Sequence, residues 1–267
     1  MLGEAAVELL EMKWPDVAAL SKDTPIVIPI AALEQHGRHM PVFTDSLLLG
    51  EVVRRIKEPL KDRVLFAPLY WLGNSHHHID FPGTMSASPR VYMDSLIDMA
   101  ENFIMHGFRR IVFINGHGGN ITPSQQALFE LRQKFRRRSD LLLLSATYWT
   151  SGGSPPPPPP LVKGGMEGSE FVQTQMGHAC EWETSMMLRI RPELVGDYKA
   201  ALDVPWGKAF APAHRAWVTK DRTEPGHIGF PRHASAEKGE TLFRVFSAAV
   251  IELLNRVIAW NGKDWDA

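Results

Sequence analysis

The sequence predicts an α/β fold around a mostly parallel sheet, and three observations carry that prediction. Short apolar runs rich in β-formers alternate with stretches whose apolar residues repeat at helical spacing. The runs read as buried strands. Two of them end in turns bearing histidine and glycine, where open α/β sheets bind ligands.

The first strand is expected over residues 25–33, PIVIPIAAL, a run too short to cross a bilayer. Leu47, Leu48, Leu49, Val52, Val53 and Ile56 then mark a helix over 46–56. A second strand is expected over 64–72, followed by a helix over 89–106 whose apolar face holds Val91, Met93, Leu96, Ile97, Met99 and Phe103. The third strand, 110–115, leads to a helix over 123–136 carrying Leu128, Leu131 and Phe135. Arg136, Arg137 and Arg138 close that helix where positive charge suits its dipole, so they read as a solvated helix end and not a nucleic-acid patch. A fourth strand is expected over 141–148. Residues 151–168, SGGSPPPPPPLVKGGMEG, follow as a stiff Pro/Gly-rich loop, read as a spacer or lid beside the strand ends. Leu242, Val245, Phe246, Val250 and Leu253 mark a last helix over 235–260.

The length suits one domain spanning 1–267, and 44% hydrophobic residues suffice for a sizeable core. The 29 Lys and Arg balance 30 Asp and Glu, which leaves no field to steer nucleic acid or an anionic membrane. The single cysteine, Cys180, excludes an intrachain disulfide, and the first ten residues lack a secretion signal. A cytoplasmic protein with a small-molecule substrate is the expectation.

Glu34-Gln35-His36 follows the first apolar run, and in extended chain residues i and i+2 project to one side, so Glu34 and His36 are expected to point together. Asp45 falls in or near the first turn of the next helix, within reach of that strand end. A Glu-x-His pair alone is common and says little. A second strand end strengthens it: Asn115-Gly116-His117-Gly118-Gly119-Asn120 places a histidine among glycines that let the backbone approach a ligand closely. Histidine nitrogens with carboxylate oxygens suit Zn²⁺, Mn²⁺ or Fe²⁺, and the absence of cysteine from the set argues against a structural zinc site.

Four motifs, EQHGRHMPVFTD (34–45), GNSHHHIDFPGT (73–84), NGHGGN (115–120) and HACEWETS (178–185), together with GHIGFPRHASAEKG (226–239), resemble the creatininase family of metal-dependent amidohydrolases. The resemblance covers nearly the whole chain. It implies a three-layer α/β/α domain, a homohexamer, and a centre of two divalent metals per subunit. It also implies that Glu34, His36, Asp45 and His117 are metal ligands, with Asp45 bridging. The family's namesake carries a glutamate two residues after the histidine of NGH, where this chain has Gly119. Glu181 is assigned as the replacement ligand. Glu183 is assigned a catalytic role beside His178, the proton shuttle. A helix starting here would point Glu181 and Glu183 roughly 200° apart, so both cannot easily reach one metal. Ser75, His78, Gly118 and Gly119 are assigned to substrate contact. Cys180 stands where the family has glycine and reads as a small buried side chain. His77 replaces the family's glutamate, His76 reads as a loop residue, and His39 as a donor supporting the centre.

The implied reaction is hydrolysis of a C–N bond in a cyclic amide or formamide by metal-activated water. Creatinine itself is disfavoured, because residues 173–177 lack the aromatic wall of that enzyme. The alternatives are a lactone or ketone hydrolase using the same centre, and a homologue that binds metal or ligand without turnover.

Overall fold

Ile26, Ile28 and Ile30 alternate with Val27 and Pro29 along the first strand, and that alternation sets the layers of the molecule. The protein is described by a computed structural model over residues 8–150, 171–207, 210, 213 and 215–264. Strands β1 (Ile26–Ile30), β2 (Leu65–Phe66), β3 (Arg110–Asn115) and β4 (Leu142–Thr147) form a parallel sheet in the order β2-β1-β3-β4. The described helices are α1 (Trp14–Ala19), α2 (Thr44–Lys57), α3 (Pro89–Met105), α4 (Ile121–Lys134), α5 (Glu181–Ile190) and α6 (Ala236–Ala259), besides short 3-10 turns.

Ile26, Ile28 and Ile30 from β1, with Ile111 and Phe113 from β3, bury against Tyr92, Leu96, Ala100 and Ile104 of α3 and Ala127, Leu128 and Leu131 of α4. Val27, Val112 and Ile114 face the opposite way, into a core filled by Leu48, Leu49, Val52 and Ile56 of α2, Trp182 and Met186 of α5, and Leu242, Phe246 and Val250 of α6. The sheet is therefore covered on both sides, the three-layer arrangement expected of parallel strands.

Two expected strands shorten. β1 ends at Ile30, and residues 31–36 run on as extended loop. β2 holds two residues: Ala67 still donates to the Val27 carbonyl, but the register then slips by one residue, Tyr70 donates to the Pro29 carbonyl, and the pairing resumes only at an isolated bridge between Ile30 and Tyr70. The Pro/Gly-rich segment 151–168 lies outside the described residues. Among the described residues, no helix is long and apolar enough to cross a membrane.

The last two helices meet at Gly239 in the first turns of α6. A Cβ there would lie 2.1 Å from the Ser185 carbonyl oxygen of α5. A helical glycine costs about 1 kcal/mol against alanine, so the close approach explains its place. Gly239→Ala should lower the unfolding midpoint by a few degrees, the cost of overpacking being about 1–3 kcal/mol. A thermal melt matching or exceeding that of the unsubstituted protein would show that the contact does not limit the packing.

Candidate metal centre

The chain leaves the carboxyl ends of β1 and β3 and turns Glu34, His36 and His117 into one buried volume, and the first turn of α2 adds Asp45. Glu34 and His36 do point together, although the strand has already ended. Asp45 Oδ1 lies 3.2 Å from His36 Nε2, and Asp45 Oδ2 lies 3.0 Å from His117 Nδ1. Glu34 Oε1 stands 3.3 Å from His117 Nδ1, 3.4 Å from His178 Nδ1 and 3.5 Å from His78 Nε2. Glu34, His36, Asp45 and His117, from three segments of the chain, thus converge within coordinating reach.

Backbone carbonyls set which nitrogen of each ring faces inward. A carbonyl oxygen can only accept, so the nitrogen that meets it carries the proton and the other offers a lone pair. His36 Nδ1 donates to the Glu34 carbonyl at 3.1 Å, His117 Nε2 to Asn74 at 3.2 Å, and His178 Nε2 to Gln35 at 2.8 Å. His36 Nε2, His117 Nδ1 and His178 Nδ1 therefore face the carboxylates, and in the neutral rings these are the nitrogens with a lone pair to offer. Metal-binding histidines are commonly oriented in this way.

The donor set fits a divalent cation. Glu34 Oε2, His36 Nε2 and Asp45 Oδ2 are buried with no hydrogen-bond partner. Asp45 Oδ2 and His117 Nδ1 are close without the alignment of a hydrogen bond, as expected of atoms that converge on a common point. Among the described residues, Glu34, Asp45 and Glu183 meet histidines and no Lys or Arg. Three groupings could each hold an ion: Glu34 with His36 and His178, Glu34 with His77 and His117, and His36 with Asp45 and Glu183.

Helix α5 reverses the roles expected of its two glutamates. The helix does begin at Glu181, and its two carboxylates leave on different sides. Glu181 accepts from Lys238 Nζ at 2.6 Å and from the Gln173 backbone N–H at 2.7 Å, so it is engaged away from the histidines. Its assignment as the replacement ligand is corrected by this geometry. Glu183 places Oε1 3.7 Å from His36 Nε2, while Oε2 accepts the Cys180 backbone N–H at 3.3 Å in a capping box. The cap fixes the carboxylate that faces the centre. Cys180 is fully buried, and burial pushes its thiol pKa up, which leaves it inert.

Gly119 cannot be exchanged for the namesake's glutamate in this backbone. A Cβ there would lie 2.3 Å from the Asn74 carbonyl oxygen, 2.5 Å from His117 Nε2 and 2.9 Å from His77 Cε1. The 73–84 loop fills the space. Gly118 is exposed, with nothing around its missing side chain, so it borders the open side. Ser75 Oγ accepts from the same His117 Nε2–H at 3.1 Å, and His76 bonds Ser86 on the surface. His78 is buried, with Gln35 Nε2 and Thr219 Oγ1 each 2.8 Å from its Nδ1. His39 meets Thr184 Oγ1 of α5 at 3.0 Å.

Gln35, Thr219 and Lys238 escaped the sequence reading. Gln35 Nε2 also donates to the Gly226 carbonyl at 2.8 Å, and the Gln35 backbone carbonyl accepts from His178, so this residue ties three segments together. Its position between two acid/base residues of extended chain, facing the other way, was an available signal. Lys238 lay within the quoted AEKG stretch, where a lysine in a helix's first turn runs against the dipole and asks for a carboxylate partner.

Electrostatics divide the histidines. Burial alone would lower His117, but Glu34 and Asp45 beside it raise it to about 10, and Asp45 raises His36 well above its usual range against the same burial. Burial raises Glu34, whereas Asp45, despite its burial, is held low by His36 and His117. His178 goes the other way: burial first, and then the neighbouring imidazoles, keep it neutral.

Fold and centre together define a class, an α/β protein with a divalent-metal centre at the carboxyl ends of a parallel sheet. The family model described as Creatininase, creatinine amidohydrolase, matches residues 10–254, and the chain belongs to this family of hydrolases. Creatinine amidohydrolase of Pseudomonas putida is 31% identical over 248 residues, covering 88% of this chain and 91% of that protein. A mycofactocin precursor peptide peptidase of Mycobacterium ulcerans is 27% identical, covering 97% of this chain and 91% of the relative. A solved structure titled "Creatininase Mn" superposes with a TM-score of 0.74 at 26% identity, over 94% of this chain and 98% of that one, and another creatininase structure is described as Zn-Zn type.

Two measurements follow from this geometry. A His117 pKa raised to about 10 from 6.5 contributes stability to the metal-free protein that is full below pH 6.5 and lost as pH climbs through about 10. A divalent cation must displace that proton, so metal affinity should rise about tenfold per pH unit for each proton released across the same window. Titrating Mn²⁺ or Zn²⁺ at several pH values checks this, and a pH-independent affinity would contradict it. Separately, Glu181→Gln strands Lys238 in the interior and should cost about 3–5 kcal/mol, while metal bound per folded molecule persists. Glu183→Gln should do the reverse, sparing the fold and lowering metal content, as denaturant unfolding and elemental analysis would read.

Proposed function

We propose that this protein is a metal-dependent amidohydrolase that cleaves a C–N bond of a cyclic amide or formamide. One observation carries the reading: three histidine nitrogens, each aimed by a backbone carbonyl, face carboxylates that have no Lys or Arg partner among the described residues. Both relatives described above bear names of enzymes that open amide bonds, which supports the same class.

Two ions would divide the donors. Glu34, His117 and Asp45 would hold one, and His36, Glu183 and Asp45 would hold the other. When bound, the ions supply Lewis acidity that polarises a carbonyl and acidifies water. The remaining work falls to the chain. His178 is neutral, and its unprotonated Nδ1 faces Glu34, so it accepts the proton of the attacking water and returns it to the departing nitrogen. The Gln35 carbonyl holds the ring in that tautomer throughout, because Nε2–H stays engaged. His78, between Gln35 and Thr219, packs against His178 with ring centroids 4.1 Å apart and limits its rotation. Burial of the cluster excludes bulk water from these transfers. Assembly as a homohexamer belongs to the same reading.

The test is a panel of cyclic amides, formamides and lactones offered to protein loaded with Zn²⁺ or Mn²⁺, with release of ammonium or amine as the readout. Turnover of an amide is expected. His178→Asn should reduce kcat about 10²–10⁴-fold while metal content stays unchanged. A loaded protein inert towards every amide sinks the proposal, and activity confined to lactones replaces it with an ester-type hydrolase.

A further inference from the structure

Beside the carboxylate cluster a second group of side chains stands towards solvent, and its innermost member, His77, also belongs to one of the groupings that could hold an ion. The His77 ring lies 5.8 Å from that of His117 and nearly parallel to it, and Trp217 meets His77 edge-on at 5.3 Å. Trp206 meets Trp217 at 6.4 Å, again edge-on, and its indole N–H donates to the Met176 carbonyl at 3.2 Å, which pins it. Arg222 lies over both indoles, its guanidinium carbon 4.6 Å from the Trp206 ring and 5.4 Å from the Trp217 ring. His77, Trp206, Trp217 and Arg222 are all partly exposed, so the group borders solvent.

Arg222 differs from Arg55 and Arg110, two arginines that are also withdrawn from solvent. Arg55 pairs with Glu51 and Glu240, and Arg110 spends its donors on the carbonyls of Val257, Ile258 and Trp260 at the end of α6. Arg222 makes one hydrogen bond, to the Trp206 carbonyl, and no ion pair among the described residues. A guanidinium carries five N–H donors, so most of this one's hydrogen-bonding capacity is unspent. The two indole faces hold it in place by cation–π attraction and strip part of its water. A guanidinium so fixed and partly dried favours an anion with matching planar geometry, and a carboxylate has it. A single cation in the group matches a singly charged anion better than a phosphate.

Its position gives the group a purpose. Two steps, of 5.3 and 5.4 Å, lead from the His77 ring along Trp217 to the guanidinium. A molecule whose amide entered the metal centre beside His117 would pass His77 and Trp217 before reaching Arg222. Building on the amidohydrolase reading, we propose that Arg222 and Trp217, with His77, form a specificity subsite for amides that carry a carboxylate remote from the scissile bond. Trp217 and His77 wall the body of the substrate, and Arg222 receives the carboxylate. Substrates lacking that charge leave the guanidinium half-dried with nothing to repay its lost hydration, so the subsite discriminates by charge as well as shape.

The test separates binding from turnover. Metal-loaded protein is titrated calorimetrically with formanilide, para-formamidobenzoate and the longer para-formamidophenylbutanoate, which share one formamide and differ in whether, and how far away, they carry a carboxylate. At least one carboxylate probe should bind about tenfold or more tighter than formanilide, the worth of a charge-assisted contact. Arg222→Gln should bring that ratio close to one. Arg222→Lys should keep part of it, and Trp217→Ala should weaken all three ligands, with circular dichroism confirming that each variant is folded. A wild type that binds the three alike or not at all, or a folded Arg222→Gln protein that keeps the preference, overturns the proposal; the latter would place the carboxylate on the metals. Amine release from the same probes is read independently. Selective, Arg222-dependent binding without cleavage would leave the subsite standing and count against the hydrolytic reading alone.

Discussion

The centre depends on carbonyl groups of the backbone more than on any one side chain. Three imidazoles with lone pairs turned inward are unstable against flipping, since either nitrogen of a free ring can carry the proton. The carbonyls of Glu34, Gln35 and Asn74 remove that freedom, because each can only accept. Two of these carbonyls lie in the extended stretch after β1 and the third in the loop that follows β2, so the parallel sheet determines the tautomers by determining where its strands stop. A side-chain acceptor could be exchanged or rotated away; a main-chain carbonyl moves only if the strand end moves.

This also explains which parts of the site could be read from the sequence. Glu34, His36, Asp45 and His117 sit at the ends of local elements, and local rules reach them: period-two alternation puts Glu34 and His36 on one side, and the apolar pattern of α2 locates Asp45 in its first turn. The layered fold was equally legible, since alternating buried runs and amphipathic helices have few other arrangements. Glu181 and Glu183 were not. Spacing along a helix shows that two carboxylates diverge, but which one faces the metal depends on how α5 is rotated against the sheet, a matter of tertiary packing. Lys238, fifty-seven positions further on, decides it by claiming Glu181. The group around Arg222 was illegible for a similar reason, since His77 is remote in sequence from Trp206 and Trp217, and these two lie in irregular chain with no period to relate them.

In this chain the third carboxylate beside His36 comes from helix α5 and not from position 119. A third carboxylate beside His36 can come from the turn after β3 or from the start of α5. In this chain the Asn74 carbonyl and His77 crowd the first route so closely that a Cβ does not fit. The second route is well supported: the capping contact with the Cys180 N–H leaves Glu183 one oxygen free for the centre, and the buried Glu181–Lys238 pair anchors the same helix start to α6. His77 fits the same account. With Gly119 bare, an imidazole can lie flat over His117 where a side chain from the turn would otherwise stand.

Such a centre works against the stability of the fold that holds it. Glu34, Asp45 and Glu183 are buried without Lys or Arg, and buried charge without compensation is expensive. The metal-free chain responds by holding protons on His36 and His117, whose pKa values rise because the carboxylates have no better partner. Those protons stand in for cations, and a divalent ion that replaces them delivers more charge to the same point. His178 escapes this bargain: hemmed in by burial and other imidazoles, and facing one carboxylate oxygen, it stays neutral. On the proposed amidohydrolase reading, two histidines that give up protons to metal and a third that stays unprotonated divide the work, the first pair to bind and the third to receive a proton. The same buried carboxylates and crowded rings produce both behaviours. The difference lies in how many carboxylate oxygens each imidazole faces.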